Sequence, residues 1–367
     1  MAKIVVYVNS LAKGGAERVA VNLVKYFHES GFEAVLVTSR VFEDEYEEPE
    51  GVRRIICEEE RGEIKNRLTY FCKRFRNVRR IWKKERPDMI VSFIGKVNMM
   101  ALMTTFGMRI PVIVSVRSDP NREYPTKLMR FLSKTLYMKA KGIIVQTEDA
   151  KKYFPAYMQK KVAILPNSLN PKFIRPRFTG KRKNEIVSVG RLDPNKNHQM
   201  LIRAFDKIAN DFPDMQLVFY GDGLPESSTR QALEELTREL GLLDRIRFMG
   251  RRNDVEKQIH ESRIFVLTSN IEGMPNALLE AMALGLACIS TDCPCGGPRT
   301  VIRDGENGLL VPVGDTEALE KALRRILSDP DLEERLGVNA SKIREELEPK
   351  KVNEEWMAYI LHRMKCG

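Results

Sequence analysis

The sequence predicts an α/β protein built from two doubly wound, Rossmann-like domains. Short apolar runs alternate with helix-period segments from one end to the other, the pattern that gives parallel sheets covered by helices. The alternation stops once, at a polar, proline-bearing stretch over 170–184 (Pro171, Pro176, Gly180, Lys181-Arg182-Lys183), and then restarts. At 367 residues the chain also exceeds what one hydrophobic core holds, which is about 250–300 residues.

In the first half, strands are expected at Ile4–Val8, Ala34–Thr38, Met89–Phe93, Val112–Val116 and Ile143–Gln146. Helices are expected at Ala16–Ser30, Arg67–Lys84, Val97–Phe106 and Thr126–Met138. After the linker come strands at Glu185–Val189, Gln216–Tyr220, Arg245–Met249, Ile264–Thr268 and Ala287–Thr291, with helices at His198–Asn210, Glu226–Leu240, Asp254–Ser262 and Pro275–Leu284. From Asp315 onward the pattern is helical, and Trp356 and Tyr359 give the last helix an apolar face. Domains are thus expected over 1–170 and 171–349. Two such sheets facing across a cleft bind ligands at their strand carboxyl ends, so functional motifs belong on post-strand loops.

Composition removes several classes. Hydrophobic residues at 43% and charged residues at 30% exclude an extended disordered chain. No apolar run reaches the ~18–20 residues that span a bilayer, since the longest, Val97–Met108, is broken by Thr104, Thr105 and Gly107. The first residues read as a strand, not a secretory h-region, which implies a cytosolic compartment. The six cysteines lack scaffold spacing and are expected as free thiols; Cys293-Pro-Cys295 has no second pair to complete a zinc site.

Charge is one-sided. Residues 1–175 carry 33 Lys+Arg against 19 Asp+Glu, whereas residues 176–367 carry 28 against 31. The densest piece runs from Arg61 to Arg86 and includes Lys65, Arg67, Lys73, Arg74, Arg76, Arg79, Arg80, Lys83 and Lys84. Leu68, Phe71, Phe75, Val78 and Trp82 recur there at three- and four-residue steps, making an amphipathic helix with a core-facing stripe. Two readings stand: a crossover helix with solvated charges, or a basic face in which Arg67, Lys73, Arg76, Arg80 and Lys83 meet anionic lipid or an acceptor's phosphates. A second basic stretch, Lys127, Arg130, Lys134, Lys139 and Lys141 among Phe131, Leu132, Leu136 and Tyr137, extends that surface. A nucleic-acid module would need stacking aromatics among the cations, and this reading puts the aromatics on the core side.

Three motifs follow strands. Gly14-Gly15-Ala16-Glu17 opens a helix, where backbone N–H groups and the helix's positive end favour a phosphate or an acceptor hydroxyl; the spacing is neither a dinucleotide fingerprint nor a P-loop. Gly190-Arg191-Leu192-Asp193-Pro194-Asn195-Lys196 sets two fixed cations five residues apart, suited to a departing diphosphate. Glu272-Gly273-Met274-Pro275-Asn276-Ala277-Leu278-Leu279-Glu280 places one carboxylate before a helix and another within it, so that each can address a different part of one ligand.

These motifs, together with Pro166-Asn167, Gly221-Asp222-Gly223 and Gly305-Glu306-Asn307-Gly308, resemble those of the retaining family 4 glycosyltransferases of GT-B fold. The resemblance spans nearly the whole chain and is closest to the bacterial subset that builds surface polysaccharides and lipid-linked oligosaccharides. It implies that Arg191 and Lys196 hold the donor diphosphate, Glu272 the sugar and Glu280 the ribose. Gly15, Gly190, Gly273, Met274, Asn276 and Ala277 would line the donor, and Gly14 the acceptor. It also implies a last helix, at about 350–365, that packs back on the first domain.

One departure stands out: many members place a histidine after the fourth strand, where this chain reads Val116-Arg117-Ser118-Asp119-Pro120. Arg117 or Asp119 would then serve the sugar or acceptor. No Asp-x-Asp motif stands at a strand end, so neither a catalytic metal nor another cofactor is implied.

The expected activity is transfer of a hexose or N-acetylhexosamine from a nucleotide sugar, UDP-linked by this reading, to a polyprenyl-diphosphate-linked glycan at the cytosolic face of the plasma membrane. A soluble acceptor, or a non-transferase relative of the same fold, stands as the alternative.

Overall fold

A computed structural model describes residues 1–57, 66–223 and 227–365. The first elements are β1 (Lys3–Val8), α1 (Gly15–Glu29), β2 (Glu33–Thr38), β3 (Arg53–Ile56), α2 (Arg67–Glu85), β4 (Met89–Phe93) and α3 (Gly95–Thr104). They are followed by β5 (Val112–Ser115), α4 (Pro120–Glu123), α5 (Lys127–Tyr137), β6 (Gly142–Val145), α6 (Glu148–Lys152), α7 (Ala156–Gln159) and β7 (Val162–Ile164). After the linker come β8 (Lys183–Val189), α8 (His198–Ala209), β9 (Gln216–Tyr220), α9 (Thr229–Glu239), β10 (Ile246–Phe248), α10 (Val255–Gln258) and β11 (Ser262–Leu267). The chain continues through α11 (Asn276–Ala283), β12 (Ala287–Thr291), α12 (Gly297–Val301), β13 (Leu309–Val311), α13 (Thr316–Leu327), α14 (Pro330–Ala340), α15 (Ile343–Glu346) and α16 (Pro349–Lys365). Two compact units result, Met1–Ser168 with the chain from Lys350 onward, and Leu169–Pro349.

The first unit holds a seven-stranded sheet in the order β3-β2-β1-β4-β5-β6-β7, every pair parallel. Ile4 to Val8 are fully buried, as a strand covered on both faces must be, which is why it reads as an unbroken apolar run. Strand order reverses between β1 and β4, and the loops after these strands form the switch point. Helix α16 closes the unit. Trp356 stacks on Phe93 with ring centroids 5.8 Å apart, its Nε1 donates to the Pro166 carbonyl at 3.3 Å, and the Tyr359 hydroxyl donates to the Lys161 carbonyl at 2.7 Å.

Helix α2 differs from its sequence reading. Val78 and Trp82 are fully buried, but Leu68 is 69% and Phe71 41% exposed. The inward line runs at four-residue steps through Arg74, Val78 and Trp82: Arg74 donates to Ser39 Oγ at 2.6 Å, and the Trp82 indole donates to Thr104 Oγ1 at 2.9 Å. That line drifts off the 68–71 face, so the stripe faces the core only in its later turns. Arg61 and Lys65, and the side chain of Arg67, lie outside the described residues.

The second unit carries a six-stranded parallel sheet, β10-β9-β8-β11-β12-β13. Ile186, Phe205, Leu217, Ile264, Ile289 and Leu323 belong to its continuous core. The expected helix over 254–262 shortens to α10, because Ser262 already pairs with Lys183 as the start of β11. Its neighbour α9 begins at Thr229, and Glu226, where the sequence reading began that helix, lies outside the described residues. Among the described residues no helix is long and apolar enough to cross a membrane, and the five cysteines are free.

Candidate functional site at the carboxyl edge of the second sheet

Strand β8 delivers Gly190-Arg191-Leu192 beside the loop leaving β9. The Gly190 amide donates to the Tyr220 carbonyl at 2.9 Å and the Leu192 amide to the Asp222 carbonyl at 3.0 Å. A Cβ on Gly221, whose φ is 137°, would overlap the Gly190 carbonyl oxygen, so glycine is what lets the two loops touch. Asp193 then accepts from the Asn195 amide at 2.9 Å and caps a 3-10 turn over Pro194–Lys196. Contacts to the chain after β11 fix that turn: Thr268 Oγ1 donates to the Lys196 carbonyl at 2.9 Å, the Asn270 amide to the Asn195 carbonyl at 2.7 Å, and Asn195 Nδ2 to the Ile271 carbonyl at 3.0 Å.

The consequence is a direct meeting of two predicted residues. Lys196 Nζ lies 2.5 Å from Glu272 Oε1, with the side chains 19% and 14% exposed. Arg191 is different: its side chain is 65% exposed and its Nε stands 3.7 Å from Asp193 Oδ2. One cation is held and the other reaches into solvent. An ammonium has three donors, and the contact with Glu272 engages one of them.

Behind Glu272 the chain is tightly folded. The Glu272 amide donates to the Pro294 carbonyl at 3.3 Å. Cys295 and Gly296 are consecutive left-handed residues, with φ of 67° and 73°. A Cβ on Gly297 would overlap the Gly273 carbonyl oxygen, so this loop presses directly on the Glu272-Gly273 backbone. Met274 is buried, Asn276 and Ala277 begin α11, and Glu280 sits within the helix at the edge of burial. Asn276 and Ala277 open α11, so the positive end of the helix lies in the loop that carries Glu272.

His198 belongs to none of the sequence motifs. It is buried, its Nε2 stands 3.3 Å from the Arg191 carbonyl, and its ring meets Phe219 edge-on at 5.1 Å. Burial pushes its pKa down to about 4, and the Lys196 charge adds to the shift. The imidazole therefore supports the turn as a neutral ring. Its place directly after Lys196-Asn197 was its only signal.

Other predicted residues belong to the first unit. Gly14 caps α1 and Gly15 is its first residue; the Glu17 side chain folds over Gly14, where a Cβ would overlap Oε2. The Arg117 guanidinium donates to Asn167 Oδ1 and lies 5.5 Å from the centroid of the Trp356 ring. Its desolvation pulls the pKa down to about 9. Asp119 accepts from the Asn121 amide at 2.8 Å and caps α4. Both residues thus carry internal structural contacts.

Lys73, Arg76, Arg80 and Lys83 are exposed on α2. On α5, Leu128 and Phe131 are each 66% exposed and Leu132 39%, among Lys127, Arg130 and Lys134. The apolar face of α5 thus points outward.

Two parallel doubly wound units, the second with a fixed lysine, an open arginine and an E-x7-E segment at its strand ends, define a glycosyltransferase of GT-B fold. The chain belongs to the family 4 glycosyltransferases. Residues 13–173 match the family described as Glycosyltransferase Family 4, and residues 171–343 match that described as Glycosyl transferases group 1.

A Campylobacter jejuni GalNAc-alpha-(1->4)-GalNAc-alpha-(1->3)-diNAcBac-PP-undecaprenol alpha-1,4-N-acetyl-D-galactosaminyltransferase is 27% identical over 366 residues, covering 98% of both chains. A Rhizobium meliloti lipopolysaccharide core biosynthesis glycosyltransferase is 27% identical over 332 residues, covering 88% of both. Among solved structures, Anabaena HepE in complex with UDP superposes with a TM-score of 0.82 at 17% identity, over 98% of this chain and 100% of the other.

Proposed function

We propose that this enzyme transfers a hexose or N-acetylhexosamine from a UDP-sugar such as UDP-GalNAc, UDP-GlcNAc or UDP-Gal to a polyprenyl-diphosphate-linked glycan. The transfer retains anomeric configuration, needs no metal and serves cell-surface glycan assembly. The observation that carries this reading is the Lys196–Glu272 contact at the carboxyl edge of the second sheet, next to exposed Arg191. As the bond from sugar C1 to the diphosphate breaks, negative charge grows on the leaving group, and Arg191 and Lys196 neutralise it. Glu272, fixed by the same lysine, accepts hydrogen bonds from sugar hydroxyls, and Glu280 takes the ribose diol. Backbone N–H groups around Gly273 and Asn276 hold phosphate or sugar oxygens.

The lipid-linked acceptor is supported by the names of the Campylobacter relative described above and of a second Campylobacter enzyme, an N-acetylgalactosamine-N,N'-diacetylbacillosaminyl-diphospho-undecaprenol 4-alpha-N-acetylgalactosaminyltransferase, 27% identical over 380 residues. The basic first half and the outward apolar face of α5 support peripheral contact with an anionic membrane on the cytosolic side. Incubation with a panel of UDP-sugars and undecaprenyl-diphosphate-linked acceptors, read by mass spectrometry, is expected to show one preferred donor and a product one sugar longer. Neither transfer nor slow donor hydrolysis with any pair would overturn the reading.

A further inference from the structure

We propose that Glu123 is a positioning residue for the acceptor side of this reaction, tying the chain after β5 to the start of α3. The proposal rests on the glycosyltransferase reading above and on the family resemblance, which implies that the stretch holding Arg117 and Asp119 borders the sugar or acceptor. Glu123 ends the short α4, and its two carboxylate oxygens reach different elements. Oε2 accepts from the Gly95 amide, the first of α3, at 2.9 Å. Oε1 accepts from the Arg117 amide at 3.2 Å. The Tyr124 hydroxyl adds a contact to Oε2 at 3.4 Å and is itself 2.5 Å from the Tyr137 hydroxyl on α5.

The packing leaves no slack. A Cβ on Gly95 would stand 2.8 Å from Tyr124 Cε1 and 3.0 Å from Glu123 Oε2. The preceding residue, Ile94, has φ of 71°, a conformation β-branched residues avoid and one that tends to mark functional loops. Both tied segments leave the carboxyl ends of adjacent parallel strands, β4 and β5, where open α/β sheets place their ligands. Arg117 and Asp119 have their side chains occupied internally, so the backbone path of 117–119 is what this carboxylate sets.

The groups that hydrogen-bond to the Glu123 carboxylate are donors: the amides of Gly95, Arg117 and Ser118, and the Tyr124 hydroxyl. Only an ionised carboxylate accepts at both oxygens. Burial opposes that charge and pushes the carboxyl up to about 7. The Arg117 guanidinium, Tyr137 and Tyr153 also feel its charge. Protonation turns one oxygen into a donor facing donors, so the tie loosens as pH falls through about 7.

The test compares wild type with Glu123→Ala and Glu123→Gln. In Glu123→Ala, exchange of the Gly95 and Arg117 amides is expected to quicken and acceptor KM to rise, each by about tenfold or more, with kcat and slow UDP-sugar hydrolysis little changed. Glu123→Gln, which keeps one acceptor oxygen, is expected to recover part of the loss and to show an acceptor KM independent of pH, whereas the wild-type value rises as pH falls below about 7. Unchanged amide exchange in Glu123→Ala overturns the proposal, as does a parallel fall of hydrolysis and transfer, which would mark a merely structural residue. If wild type transfers sugar to no acceptor, the functional reading fails, and amide exchange still decides whether the tie exists.

Discussion

Lys196 and Glu272, 76 positions apart in the chain, meet at 2.5 Å because the turn carrying the lysine is hydrogen-bonded to the chain that carries the glutamate. Neither side chain can change without loosening the other. Lys196→Ala and Glu272→Ala are each expected to lower turnover by at least ~10²-fold, the scale for loss of a group acting on transition-state charge. The double variant is expected to fall by less than the product of the two losses, because they share one interaction. Steady-state kcat/KM for all four proteins checks this.

Gly297 touches the Gly273 carbonyl where no side chain fits. Gly297→Ala is expected to cost about 1–3 kcal/mol of stability through overpacking and to weaken UDP binding as the 273–277 segment shifts. Gly223→Ala, where an added Cβ meets nothing closer than 3.6 Å, serves as the control. Thermal unfolding and calorimetric titration with UDP separate the two effects.

His198 is held near a pKa of about 4, below the free imidazole value of 6.5. The unfolded chain therefore binds a proton first as pH falls. The contribution of His198 to stability is complete above about 6.5 and is lost as pH drops towards 4. Its ring resonances are expected not to titrate between about pH 8 and pH 5, followed by NMR, whereas an exposed histidine titrates near 6.5.

The outward face of α5 gives a prediction separable from charge. Leu128→Ser with Phe131→Ser is expected to lower binding to anionic vesicles by about tenfold or more, at high salt as well as low, since each side chain withdraws about 1.5–3 kcal/mol of apolar burial. Lys134→Glu is expected to act only at low salt. Leu128 and Phe131 are exposed, so the melting temperature of the double serine variant should stay put. Co-sedimentation with vesicles measures each.

Much of this was legible in the residues. Buried strands such as β1 and β4 read as short, mainly apolar runs, and the long helices as 3.6-residue stripes. The strands that escaped notice are β3, β7 and β13. All three lie at sheet edges: β3 carries two arginines, and β7 and β13 are three residues long. The glycine motifs and the start of the E-x7-E segment pointed to the candidate site in the second unit because they follow strands. Glu123 and His198 did not announce themselves: a carboxylate in a tetrapeptide helix and an imidazole opening a long one look ordinary until the backbone amides around them are located. The α2 stripe misled because the residues that turn inward, Arg74, Val78 and Trp82, follow four-residue steps that leave the face of Leu68 and Phe71.

The first sheet's last companion, α16, is encoded after the entire second unit. During synthesis the ribosome therefore releases Phe93 and Pro166 long before Trp356 exists to cover them, so the amino-terminal half must wait, incompletely sheltered, while some 180 further residues are made. A released chain truncated before Lys350 should present that uncovered apolar surface to chaperones, and one that includes α16 should not.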